Sequence, residues 1–104
     1  MAVKNLTSKN FDEFISKGAS IVDFSAEWCS PCKFLKPIFE EASSEVKDVK
    51  FGSVDVEKEP ELAQRFQVMS VPTLIFFKRK EQIDRFIGIL SRENLIKKAG
   101  EISR

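Results

Sequence analysis

The sequence predicts an α/β domain in which helices cover both sides of a mixed sheet, and three observations point there. A mostly apolar stretch at 20–25, helix-spaced apolar positions over 31–47 and an alternating stretch at 49–56 follow one another. That order is a parallel strand–helix–strand crossover. A strongly apolar stretch at 71–77 then leads through the charged link 78–81 into Ile83-Asp84-Arg85-Phe86-Ile87, whose alternation marks a half-exposed antiparallel edge. Last, Leu95, Ile96, Ala99 and Ile102 share one helical face behind Ser91, a residue type that caps helix N-termini.

Each element has its own warrant. Thr7 or Ser8 can cap a short first helix carrying Phe11, Phe14 and Ile15, with Gly18 ending it. Ser20-Ile21-Val22-Asp23-Phe24-Ser25 is mostly apolar, so the strand belongs at the centre of the sheet. The long helix repeats Phe34, Leu35, Ile38, Phe39, Ala42 and Val46, and Pro37 inside it predicts a kink. Phe51 and Val54 are the inward residues of the next strand. Pro60 opens a short helix through Leu62, Ala63 and Phe66, since a first helical turn has no use for the missing donor.

Composition bounds the function. The 104 residues suffice for one domain, 1–104, and 42% hydrophobic residues suffice for a core without disulfide staples. The formal net charge is +1, and Lys78-Arg79-Lys80 is the densest basic run. A solvated turn accounts for that run, and no nucleic-acid partner is indicated. The apolar run at 71–77 is too short for a membrane span and contains Pro72. No charged-then-apolar leader precedes the fold, so a soluble cytoplasmic protein is expected. Nothing suggests an obligate oligomer, and a monomer is expected.

The chemistry centres on Trp28-Cys29-Ser30-Pro31-Cys32-Lys33, which holds both cysteines of the chain. Cys29 falls between the first strand of the crossover and its helix. The open N–H groups and partial positive charge of a helix N-terminus favour a thiolate there, which makes Cys29 the exposed attacking nucleophile. Cys32, nearly one turn further in, is expected to be buried and to resolve the mixed disulfide. Lys33 adds positive charge nearby, although a solvated lysine is the simpler account. Zinc needs four ligands, and the chain has two cysteines and no histidine, so only a four-cysteine site shared between two chains would serve it. A disulfide across two residues closes little chain entropy and would stabilise little. Redox exchange outweighs both.

Three further residues qualify as supports. Asp23 interrupts an apolar strand six residues before Cys29. A buried carboxylate there would have a raised pKa and could take the proton of Cys32; the plain alternative is an aspartate facing solvent at a strand end. Pro72 either opens a strand in the ordinary trans form or, in the cis form, frees the backbone of Val71 to pair with an extended substrate. Residue types alone leave both open. Trp28 is a core aromatic or a cover over the site, and Gly88 ends the edge strand.

The stretch Val22-Asp23-Phe24-Ser25-Ala26-Glu27-Trp28-Cys29-Ser30-Pro31-Cys32-Lys33, with Pro37, Val54-Asp55-Val56, Val71-Pro72-Thr73, Phe77-Lys78 and Gly88, resembles the thioredoxin family over nearly the whole chain. The resemblance implies a thioredoxin fold, with a mixed, mostly five-stranded central sheet and about four helices. It implies a protein-disulfide reductase in which Cys29 attacks, Cys32 resolves and Asp23 accepts the proton. Pro72 would be cis and face the cysteines, and Trp28, Ser30, Pro31, Val71, Pro72 and Gly88 would form the substrate groove. No bound cofactor and no metal are implied, only the redox-active Cys29–Cys32 pair. The implied partners are disulfide-containing client proteins and a thioredoxin reductase, whose cofactor is its own.

The departures from the family pattern are specific. Ser30 stands where the usual motif has glycine; being neutral, it implies a reductant nearer thioredoxin's own potential, about −270 mV, than a strong oxidant's, about −120 mV. Ser53 stands where some members carry a lysine beside the buried aspartate, which implies a higher pKa for Asp23. Arg79-Lys80 replaces an Asn-Gly turn, and Ser70 stands where many members have glycine. Two other classes remain as alternatives: a non-catalytic thioredoxin-fold subunit, and an oxidant or isomerase specialised by Ser30.

Overall fold

Why residues 19–25 lie at the centre is visible in what flanks them. In the computed structural model, which describes residues 2–104, the chain runs β1 (Val3–Asn5), α1 (Phe11–Ser16), β2 (Ala19–Ser25), α2 (Ser30–Glu45), β3 (Val49–Asp55), α3 (Pro60–Arg65), β4 (Thr73–Lys78), β5 (Glu81–Ile87), α4 (Arg92–Ile102). The five strands form one sheet in the order β1-β3-β2-β4-β5. β1, β3 and β2 are parallel, while β4 runs antiparallel to β2 and β5 antiparallel to β4. Every residue of β2 from Ala19 to Phe24 is buried, as a strand covered on both faces requires.

The two faces have separate cores. Ile21, Leu74, Phe76 and Phe51 meet Leu35 and Phe39 of α2 and Leu95, Ala99 and Ile102 of α4. On the other face Val22, Phe24, Ile75 and Phe77 meet Phe11 and Ile15 of α1 and Leu62 of α3. Aromatic edges tie this second layer together, with Phe11 5.8 Å from Phe77 and Phe66 5.4 Å from Phe77, ring centre to ring centre.

The sequence expectations hold for the central elements and shift at the margins. α2 starts at Ser30 and runs through Pro37 to Glu45 without interruption. α3 opens on Pro60 as expected, and Ser91 caps α4 by accepting the Asn94 N–H at 3.1 Å. The strand expected at 71–77 begins only at Thr73, after Pro72. The first helix starts later than a Thr7 or Ser8 cap would place it. Residues 7–10 make a separate turn, in which the Asn10 side chain accepts the Thr7 N–H at 2.7 Å and the Phe11 N–H reaches the Thr7 carbonyl at 3.0 Å.

β1 carries no periodic signal. It is three residues long, two of them exposed, and is recruited by parallel pairing of Val3 with Phe51.

Arg79 and Lys80 join β4 to β5 with both φ angles positive, at 46° and 81°. A two-residue hairpin needs that twist, and neither residue type favours it. Two hydrogen bonds offset the unfavourable backbone: the Arg79 N–H donates to Gly18 at 2.8 Å and the Lys80 N–H to Ile15 at 2.7 Å. Lys80→Gly keeps both donors and removes the steric penalty. It should raise the free energy of unfolding in urea by about 1 kcal/mol.

Candidate active site

The mixed pairing brings four chain segments to one end of the sheet. Ser25, ending β2, lies beside Asp55, ending the parallel β3, and Phe24 lies opposite Thr73, which begins the antiparallel β4. Thr73 in turn lies opposite Ile87, the last residue of β5. The segments beyond these residues hold Cys29, Glu57, Pro72 and Gly88.

Cys29 is the N-cap residue of α2. Its Sγ accepts the Cys32 N–H at 3.2 Å, and the backbone N–H of Lys33 reaches the Cys29 carbonyl at 3.1 Å. The two cysteines are joined by a disulfide, with Cα atoms 5.2 Å apart. Cys29 is not the exposed sulfur that the sequence reading expects: both cysteines are 4% exposed. In the closed ring each sulfur shields the other, and both pack against Ala26, Val56 and Val71. What distinguishes Cys29 is its surroundings. Its Sγ lies 3.7 Å from the Val71 carbonyl oxygen, whereas Cys32 lies within the first turn of α2.

The segment bearing Val71 is held from several sides. The Val71–Pro72 bond is cis, the state implied by the family resemblance. The Gly88 N–H donates to the Pro72 carbonyl at 2.9 Å, and the Thr73 hydroxyl donates to the Ser70 carbonyl at 2.7 Å. Gly88 has φ +113°, a conformation that a side chain disfavours. Trp28, next to Cys29 in the chain, is two-thirds exposed, and its Nε1–H donates to the Glu57 carboxylate at 2.7 Å. Met69, 92% exposed, stands two residues from Val71. Ser30 and Pro31 are exposed in the first turn of α2. The Glu57 contact joins residues 29 positions apart, and nothing in the sequence singles out this glutamate among its acidic neighbours.

Asp23 points to the α2 side of the sheet, between Ser53 on β3 and Leu74 on β4. It is buried, and Oδ1 has no hydrogen-bond partner among the described residues. Burial alone pushes its pKa up to about 7, because the ionised form loses solvation with no cation beside it. Ser53, the register partner, supplies none. Asp23 and Cys32 line the same groove, together with Lys36, Ser53 and Lys58, so a carboxylate that titrates near neutrality shares a solvent-connected space with Cys32. No cluster of metal-ligating side chains occurs among the described residues, and no helix among them is long and apolar enough to cross a membrane.

Comparison with known proteins gives this geometry a context. The family model described as Thioredoxin matches residues 2–101. A thioredoxin of Chlamydia caviae is 41% identical over 95 residues, covering 91% of this chain and 93% of the relative. One from Staphylococcus haemolyticus is 43% identical over 96 residues, covering 91% and 92%. Among solved structures, an asparagine-to-glutamine variant of the thioredoxin from Halobacterium salinarum superposes with a TM-score of 0.91 at 27% identity, covering 98% of this chain and 91% of its own. The thioredoxin of Malassezia sympodialis gives 0.84 at 29% identity, with the same coverage.

The raised pKa of Asp23 has a consequence for stability. Below about pH 4 the carboxyl is protonated in both folded and unfolded chains and contributes no pH dependence. Between about 4 and 7 the unfolded chain ionises while the folded one keeps its proton, so stability falls as pH rises. Above 7 the penalty is complete, on the order of 4 kcal/mol. Asp23→Ala in the disulfide form should therefore be more stable than the wild type at pH 8. Most of that gain should be absent at pH 4, as read by urea unfolding at the two pH values.

Proposed function

This chain belongs to the thioredoxin family and is a thiol–disulfide oxidoreductase, and on that premise we propose the following division of labour. Cys29 attacks, Cys32 resolves, and Asp23 takes the proton that Cys32 must lose. The reading rests on the position of Cys29 at the N-cap of α2, where its sulfur accepts a first-turn N–H. That donor and the helix N-terminus stabilise a thiolate when the pair is reduced. Cys32 has no such position.

In the reducing direction, the Cys29 thiolate attacks one sulfur of a partner disulfide, forming a mixed disulfide and releasing a partner thiolate. Cys32 loses its proton, through water in the groove, to the Asp23 carboxylate. The Cys32 thiolate then attacks the Cys29 sulfur, releasing the second partner thiolate and closing the Cys29–Cys32 bond. Two electrons pass to the partner, and the released thiolates take up protons. An extended segment of the partner lies along Val71 and Pro72, with Trp28, Ser30, Pro31 and Gly88 forming the rest of the surface.

Thioredoxins in general work with a thioredoxin reductase and disulfide-bearing substrates. For this chain we assign the same partners, with the reductase restoring the dithiol using its own cofactor. Residues 1–104 act as one domain, monomeric and cytoplasmic, with neither nucleic acid nor membrane as partner. The pair itself is the only redox group required.

Two measurements test these assignments. Cys32→Ser should accumulate a stable mixed disulfide with a client, found on Cys29 by mass spectrometry; a client captured on Cys32 in the converse Cys29→Ser variant would reverse the roles. Equilibration with glutathione should give a potential near −270 mV, because neutral Ser30 adds no charge to favour the thiolate. A value near −120 mV would instead make this chain an oxidant.

A further inference from the structure

The segment between α3 and Pro72 is anchored by an arginine from the opposite side of the hairpin. α3 ends in a left-handed turn. Gln67 has φ +54°, its N–H donates to Gln64 at 3.1 Å, and the Val68 N–H donates to Ala63 at 2.9 Å. This pair of bonds is the usual closure of a helix that ends in a left-handed residue, a position where glycine is favoured. The closure leaves the Phe66 and Gln67 carbonyls facing outward. Both accept from one guanidinium: Arg85 Nη2 donates to Phe66, and Nη1 to Gln67 at 3.3 Å. The side chain of Gln82 accepts from Nη2 at 3.4 Å on the same side.

Arg85 reaches α3 because β5 contains one extra residue. Lys78 pairs with Glu81 and Phe77 with Gln82, but Phe76 then pairs with Asp84 and Ile75 with Arg85, so Ile83 is passed over. Since strand residues alternate between faces, one extra residue reverses the face of everything beyond it. With regular pairing Arg85 would stand opposite Leu74, whose side chain lies in the α2–α4 core; as built it stands opposite Ile75, on the α1–α3 side. The same shift turns Asp84 to the other face, where Lys98 of α4 donates to it.

We propose that Arg85 is a positioning residue for partner binding, holding the 66–72 segment so that the Val71 backbone meets an extended client beside Cys29. Three tethers act on this segment: Arg85 at its start, Thr73 at Ser70 and Gly88 at Pro72. Between the last two, the Val71 carbonyl is turned to the Cys29 sulfur. Lysine is only a partial substitute for Arg85, since a single ammonium lacks the planar fork that serves two carbonyls at once. The inference rests on the reading of Val71 as the partner-binding backbone.

The test compares two oxidised substrates, insulin and hydroxyethyl disulfide, under turnover with dithiothreitol. The wild type should prefer insulin in kcat/KM, because only a polypeptide can pair with Val71. Arg85→Ala should raise KM for insulin about fivefold or more, with kcat, the rate on hydroxyethyl disulfide and the Cys29–Cys32 potential all within about twofold of wild type. Arg85→Lys should fall between, and it carries the test if the alanine variant does not fold. No preference in the wild type would remove the Val71 reading and this inference together. A wild-type preference that both variants retain with unchanged KM would overturn the role of Arg85 alone. An equal loss on both substrates would also overturn it, as general damage rather than positioning.

Discussion

The rest of the structure depends on β2 being enclosed on both faces and both edges. β3 and β4 pair with its edges, and helices cover its two sides, so its backbone has no freedom of register. A shift by one residue would move Ile21 out of one core and Val22 out of the other. The site inherits that precision at two points. The strand's own Asp23 is held in the core at fixed depth, and its end delivers Cys29 to the start of α2. A carboxylate with an unpartnered oxygen is tolerated only where the surrounding packing exceeds what it takes away.

Mixed topology explains why the site is compact. Parallel pairing aligns the ends of β2 and β3, while two antiparallel pairings bring the start of β4 and the end of β5 to the same edge. An all-parallel sheet would have carried the approach to β4 to the far edge, away from the cysteines. The two halves of the site thus come from distant parts of the sequence. The helix-terminal sulfur chemistry comes from residues 29–32, and the backbone that faces it comes from 66–72. Each half is stiffened by contacts of its own, Trp28 to Glu57 on one side and the tethers of the 66–72 segment on the other.

Legibility in the sequence followed the same division. β2, α2, β3 and α4 could be read because burial on one or both faces imposes a period, and the cysteine pair because its spacing and position carry a mechanism. β1 could not, since three half-exposed residues have no period and are recruited by pairing alone. The start of α1 was missed because Asn10, three residues past Thr7, turns its amide back and makes a separate turn first. The equal burial of Cys29 and Cys32 lies outside sequence reasoning, as it depends on the ring being closed. Glu57 and Arg85 were invisible for another reason: both act through contacts across 18 or more positions, made by residue types that usually lie in solvent. The bulge at Ile83 was equally silent, although it decides which face Arg85 and Asp84 occupy.

The buried carboxyl gives the molecule a calorimetric signature. The chain has no histidine, the side chain that ordinarily changes charge near neutrality, and Asp23, at about 7, titrates in that range instead. Between pH 4 and 7 the folded chain arrives at its melting transition with a proton that the unfolded chain does not keep. Each molecule that unfolds hands that proton to the buffer, so the heat absorbed includes the buffer's own enthalpy of protonation. Two buffers of equal pH and unlike ionisation heat would register one structural transition as two different enthalpies, and their difference would count the proton held by Asp23.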